Sequence, residues 1–147
     1  MSARSFDDVS FGDDLEEMKT DVSLDRIKRF TGAAGMTFER FTNHEAARKE
    51  GLPGAIVPGI MSQGILAAMI HRWAPGSTIV KIDTVFRAPL LVDSDPVCRG
   101  VVTDMNKADR TVEVDLTIVN EANETRVLGT ATASLESRST AHRRATR

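Results

Sequence analysis

Residues 58–76 read PGIMSQGILAAMIHRWAPG, and the fold turns on this stretch. Pro58-Gly59 sets the start of a helix that runs to about Trp73, and Pro75-Gly76 stops it, because proline suits a first turn but cannot continue an interior. Between them Ile60, Ile65, Leu66, Met69 and Ile70 place apolar side chains almost all round, the pattern of a buried helix. No other long helix in the 147 residues is so nearly apolar.

Downstream of Ser77 the hydrophobic period changes to two. Thr78–Arg87 (TIVKIDTVFR), Val97–Met105, Thr111–Asn120 (TVEVDLTIVN) and Thr125–Glu136 read as strands. Asn106–Asp109 and Glu121–Glu124 are turns, and Val112, Val114, Leu116 and Ile118 share one face. Short connections of this kind predict an antiparallel meander with one buried and one polar face. Upstream, residues 14–22 form a weakly alternating edge strand. Ser23 caps a helix over Leu24–Ala34, carrying Leu24, Ile27, Phe30 and Ala34 at helical spacing. Asn43 caps a second short helix, with Glu45 in its first turn, Arg48 and Lys49 in its last, and Gly51 as the C′ residue. A curved antiparallel sheet needs an apolar body to wrap around, and the helix at 59–73 is that body. The expected fold class is α+β: a single hot-dog domain over residues 1–136, followed by a basic tail at 137–147 that lacks apolar residues larger than alanine.

Composition narrows the function. A net charge of −2 gives no global attraction for nucleic acid or an anionic membrane surface. The first 21 residues are acidic and the last ten basic. The lone Cys98 excludes an intrachain disulfide and a cysteine metal cluster, and reads as a small apolar strand residue. His44, His71 and His142 lack metal-ligand spacing, so no metal is expected. The acidic N-terminus shows no secretory leader and no segment is long enough to span a bilayer, so a cytoplasmic location is expected.

Residues 30–66, FTGAAGMTFERFTNHEAARKEGLPGAIVPGIMSQGIL, carry a family resemblance. With the opening Phe6, Asp8, Val9, Gly12, Asp13, Leu15 and the later VFRAPLLVDSDP, the chain resembles the MaoC-like hot-dog proteins over about residues 5–136. That family includes (R)-specific enoyl-CoA hydratases and mycobacterial (3R)-hydroxyacyl-thioester dehydratases. Its motif reads Gly-Asp-x-Asn-Pro-x-His, in which the Asp and the His form the acid/base pair that adds or removes water at an α,β-unsaturated thioester. Here the segment reads Gly35-Met36-Thr37-Phe38-Glu39-Arg40-Phe41. Met36 replaces the Asp and Phe41 the His, while the family's Ile-Ala-His-Gly becomes Ile56-Val57-Pro58-Gly59. Neither Met nor Phe can hold and pass a proton, so no catalytic residue is expected at Met36 or Phe41.

What the resemblance leaves is a binding site. Gly59 at the helix start is expected to let a thioester carbonyl approach the backbone N–H groups. Met36, Phe38, Phe41, Pro58, Gly59, Ile60, Met61 and Gln63 are the candidate substrate-binding residues; the methionines and phenylalanines suit an acyl cavity, a core or an interface equally. Arg40, Lys49 and Arg87 are candidates for coenzyme A phosphates. Ser62 has no local base to make it a nucleophile, and the absence of Asp or Glu from Gly51 to Thr78 argues against a thioesterase. His71 reads as structural, at a helix C-terminus.

The resemblance implies a coenzyme A or acyl-carrier thioester as ligand, no separate cofactor, and pairing of two hot-dog domains about their central helices, as a homodimer or as a heteromer with a dyad-bearing MaoC-like chain. The leading expectation is the dyad-less, non-catalytic subunit of such a hydratase or dehydratase. The alternatives are a self-sufficient enzyme that uses Glu39 and His44, again five apart, as a relocated pair, and a non-enzymatic acyl-thioester-binding homodimer.

Overall fold

The computed structural model describes residues 3–136; the basic tail at 137–147 lies outside the described residues. After a short 3-10 turn at Phe6–Asp8 come β1 (Asp14–Lys19), α1 (Leu24–Ala34), α2 (His44–Lys49), α3 (Gly59–Trp73), β2 (Thr78–Phe86), β3 (Val97–Asn106), β4 (Thr111–Val119) and β5 (Thr125–Ser134). Local chemistry sets the helix limits. Ser23 accepts from Arg26 N–H at the start of α1, and Asn43 accepts from Ala46 N–H at the start of α2. Gly35 ends α1 at φ 71°.

The five strands form one antiparallel sheet in the order β1-β3-β4-β5-β2. The hot-dog expectation holds, with one correction to the meander. Only β3, β4 and β5 follow one another across the sheet; β2 lies beyond β5, and residues 87–96 carry the chain from one side of the sheet to the other. Both ends of that crossover are tied down, by Arg87 N–H to the Arg126 carbonyl and by Asp93 N–H to the Val22 carbonyl, both 2.9 Å.

Val112, Val114, Leu116 and Ile118 all face the core, as their alternation predicts. They meet Leu66, Met69 and Ile70 of α3, each at most 1% exposed. Burial of this apolar face, at roughly 25 cal/mol per Å², is what holds the helix in the sheet. The helix is nevertheless not buried all round: Ile60 is 63% exposed, and Gly64, Ala68, His71 and Arg72 are exposed as well. The sheet wraps one side of α3 and leaves the other open. Among the described residues no helix is long and apolar enough to cross a membrane.

Candidate functional site

The two ends of α3 open onto different cavities. At its N-terminus Pro58 accepts from Met61 N–H at 3.0 Å and Ser62 N–H at 3.1 Å. Proline has no side-chain acceptor to cap the turn, so the N–H groups of Gly59 and Ile60 have no acceptor among the described residues. Two free donors at the positive end of a helix dipole attract a carbonyl oxygen or an anion. Beside them lies a largely apolar groove of about 360 Å³, lined by Ile56, Val57, Gly59, Ser62, Phe86, Arg87, Ala88, Pro89, Leu90 and Val127. The crossover 87–96 forms one wall and the segment entering α3 the other. Val57 N–H donates to the Leu90 carbonyl at 2.8 Å and Val92 N–H to the Ala55 carbonyl at 2.9 Å, and Ile56 bridges to Leu91.

The space beside Gly59 is not open in the way its lack of a side chain suggests. A Cβ there would lie 2.9 Å from Cζ of Phe86, so the ring of Phe86 uses the room that glycine leaves. Phe86 is 53% exposed and can turn aside. It belongs to the site together with Ala88, Pro89 and Leu90, none of which the sequence reading singled out. The available signal was the segment VFRAPLLVDSDP, which breaks the alternation of β2 at Pro89.

Met36 and Phe41, the positions expected to match the family dyad, are not among the residues that line this groove. Met36 follows α1, half-buried, its N–H bonded to the Thr31 carbonyl at 2.9 Å. Phe41 packs against the core and meets Phe38 edge-on at 6.4 Å. The Arg40 carbonyl accepts from Ile56 N–H at 3.0 Å, which ties the Glu39–Phe41 turn to the groove wall. Of the remaining candidates, Pro58 and Met61 are buried and do not line the groove, and Ile60 and Phe38 are exposed. Gln63 donates to Thr84 Oγ1 at 3.2 Å, joining α3 to β2. Ser62 is 1% exposed and lines the groove. Arg40 stands over the Phe38 ring and pairs with Glu50 at 3.3 Å, Arg87 lines the groove, and Lys49 lies on the charged outer surface of α2. The sequence candidates are therefore divided between the groove, the core and the outer surface.

His44 and Glu39 are not hydrogen-bonded to one another. His44 accepts at Nδ1 from Ala55 N–H at 3.0 Å and contacts Asp93 Oδ2 through Nε2 at 2.8 Å. Both ring nitrogens are occupied by the protein. The bond from His44, and next the Leu24 N–H, hold the Asp93 carboxyl below the usual aspartate range. Cys98 is buried in β3, and burial pushes its thiol up to about 12, so no thiolate chemistry is available.

At the other end of α3 a larger cleft of about 780 Å³ is lined by Arg4, Asp8, Asp13, Asp14, Glu16, Arg72 and Trp73, among others. Arg4 Nε–H donates to the Trp73 carbonyl at 2.7 Å and the guanidinium stands over its ring at 5.1 Å.

The comparisons with known proteins agree with this architecture. The family described as MaoC like domain matches residues 11–124. The chain is similar in structure to the R-hydratase PhaJ1 from Pseudomonas aeruginosa, with a TM-score of 0.84 and 16% identity over 92% of this chain and 87% of that one. It is similar to a chain of the ChsH1-ChsH2 complex from Mycobacterium tuberculosis, with a TM-score of 0.80 and 19% identity over 87% of this chain and 99% of that one. A chain of the HadBC (3R-hydroxyacyl-ACP dehydratase) complex, also from Mycobacterium tuberculosis, matches with a TM-score of 0.64 and 17% identity over 84% and 96%. No curated protein sequence matches.

Proposed function

We propose, from the premise that this chain belongs to the MaoC-like domain family, that it is an acyl-thioester-binding subunit without a proton-transfer pair of its own, working beside a dyad-bearing MaoC-like chain in an (R)-enoyl-thioester hydratase or dehydratase. What supports this reading is an apolar groove at a helix N-terminus in a chain that carries Met36 and Phe41 where its resemblance to the family leads one to expect an acid and a base. Hydration needs a group that delivers a proton to carbon and one that activates water; thioether and phenyl groups do neither.

The chain's own contribution is binding and orientation. The groove takes the acyl chain away from water, and the N–H groups of Gly59 and Ile60 hold the carbonyl oxygen, where developing negative charge is stabilised. Arg87 at the groove meets the anionic part of a coenzyme A or acyl-carrier thioester. Proton transfer falls to the partner. A partner surface is available: Val80, Val85 and Phe86 on β2 are more than half exposed, and β2 pairs with β5 on one side only. Of these only Phe86 lines the groove; it and the exposed Ile60 put apolar surface at that end of α3, of the kind that a second hot-dog sheet and helix cover. Two of the structural relatives are themselves described as complexes of two chains.

The test is crotonyl-CoA hydration by the isolated chain, by a MaoC-like chain with an intact dyad encoded beside it, and by the two together. Background rates alone and a rate for the pair above that of the partner alone are expected. Strong hydration by the isolated chain overturns the proposal.

A further inference from the structure

We infer that His44 and Asp93 form a positioning clamp that sets where the Ala55–Val57 wall, and hence the N-terminus of α3, stands relative to the ligand; its bearing on binding rests on the thioester reading above. Asp93 sits at φ 65°, a left-handed backbone conformation that side-chain-bearing residues adopt reluctantly. Its side chain compensates by joining three segments. Oδ1 accepts from Leu24 N–H at 2.8 Å, one of the otherwise unpaired donors of the first turn of α1, and Oδ2 meets His44 Nε2 at 2.8 Å.

The tautomer of His44 is fixed by its partners. A backbone N–H can only donate, so Nδ1, which faces Ala55 N–H at 3.0 Å, is unprotonated. The ring proton is therefore on Nε2 and donates to Asp93. A Cβ on Gly54 would lie 3.0 Å from that Nδ1, so the imidazole is seated against a backbone that glycine leaves bare. The Ala55 carbonyl is bonded in turn by Val92 N–H. From Ala55 three residues lead to Gly59. His44 is thus a positioning residue, at a place where the sequence offered an acid/base role.

Asp93→Asn is the discriminating variant. Asparagine tolerates the same backbone conformation and its Oδ1 can still accept from Leu24, but its amide then presents N–H to the Nε2–H of His44. The ring must give up that bond, or move its proton to Nδ1 and lose Ala55; turning the amide over sets its N–H against Leu24. We expect Ala55 amide exchange to rise about tenfold, the scale of one lost hydrogen bond, the His44 ring ¹⁵N pattern to change, and the Gly59 and Ile60 amide resonances to move. Asp95→Asn, the same charge change two residues on, should do none of this. Unchanged Ala55 exchange, or unmoved Gly59 and Ile60 resonances, overturns the clamp. Wild-type His44 protonated on Nδ1 also overturns it, and that measurement needs no variant. Titration with crotonyl-CoA separates the two readings. If the wild-type Gly59 and Ile60 amides ignore the ligand while Asp93→Asn still moves them, the thioester reading fails and the clamp stands. If wild type binds and Asp93→Asn binds equally well, the clamp has no part in binding.

Discussion

The two ends of α3 are the instructive contrast. The cleft at its C-terminus, about 780 Å³, is roughly twice the groove at its N-terminus, about 360 Å³. Size alone would select the former. Charge selects the latter: the C-terminal end of a helix is its negative pole, and here it is joined by Asp8, Asp13, Asp14 and Glu16. Arg4 and Arg72 offset part of that charge, but four carboxylates against two guanidinium groups leave the cleft net acidic. The N-terminal end presents two free N–H groups, apolar walls and Arg87. The same helix builds both cavities; at its C-terminus the Trp73 carbonyl is taken by Arg4, whereas at its N-terminus the Gly59 and Ile60 N–H groups have no acceptor among the described residues.

Substitutions can break or sharpen this contrast. Leu66→Ala strikes the fulcrum between the two ends. Leu66 is fully buried, and its truncation should cost about 2–5 kcal/mol, measured by chemical denaturation, with ligand binding falling only as far as folding does. Arg4→Ala acts at the C-terminal end alone. Losing the bond to the Trp73 carbonyl and the cation over the ring should cost about 1 kcal/mol while crotonyl-CoA affinity stays unchanged; a drop in affinity would join the two ends functionally.

The pH dependence belongs to the N-terminal side. The bond from His44 and the Leu24 N–H lower the folded-state pKa of Asp93. Its contribution to stability is therefore complete above the ordinary aspartate value of about 3.9 and is lost as pH falls through the lower folded value. The difference in Tm between wild type and the non-titrating Asp93→Asn should accordingly shrink on acidification below that range; a difference that grows there contradicts the sign. The smallest expected effect is that of Arg87→Glu. It should weaken crotonyl-CoA binding a few-fold at low salt, and the loss should fade as salt is added, because exposed charges are screened over about 10 Å at 0.1 M.

Much of the architecture is legible along the chain. The limits of α1 and α3 follow from Ser23, Gly35, Pro58 and Pro75, each a local stop or start, and the core face of β4 follows from its strict alternation. The position of β2 beyond β5 was not legible, since β2 has the same period as its neighbours and strand order depends on which edge is free. Ile60 was expected on a buried helix because hydropathy reports that a residue is oily and not which direction it faces. Phe86 was missed for a related reason. Its contact with Gly59 spans 27 positions and appears only when the helix lies across the end of β2. His44 and Glu39 share the family's dyad spacing, but spacing says nothing of partners such as Ala55 and Asp93, which arrive from other segments.

Local sequence thus determined which segments are helix and which are strand, and that an apolar helix sits inside a curved sheet. These follow from backbone sterics, hydrophobic period and side-chain chemistry, all of which act over a few residues. Tertiary structure alone decided which walls enclose the groove at the N-terminus of α3, that Phe86 occupies the space beside Gly59, and that His44 is bonded at both nitrogens. Each of these depends on groups distant in sequence meeting within about 3 Å, and that proximity is a property of packing.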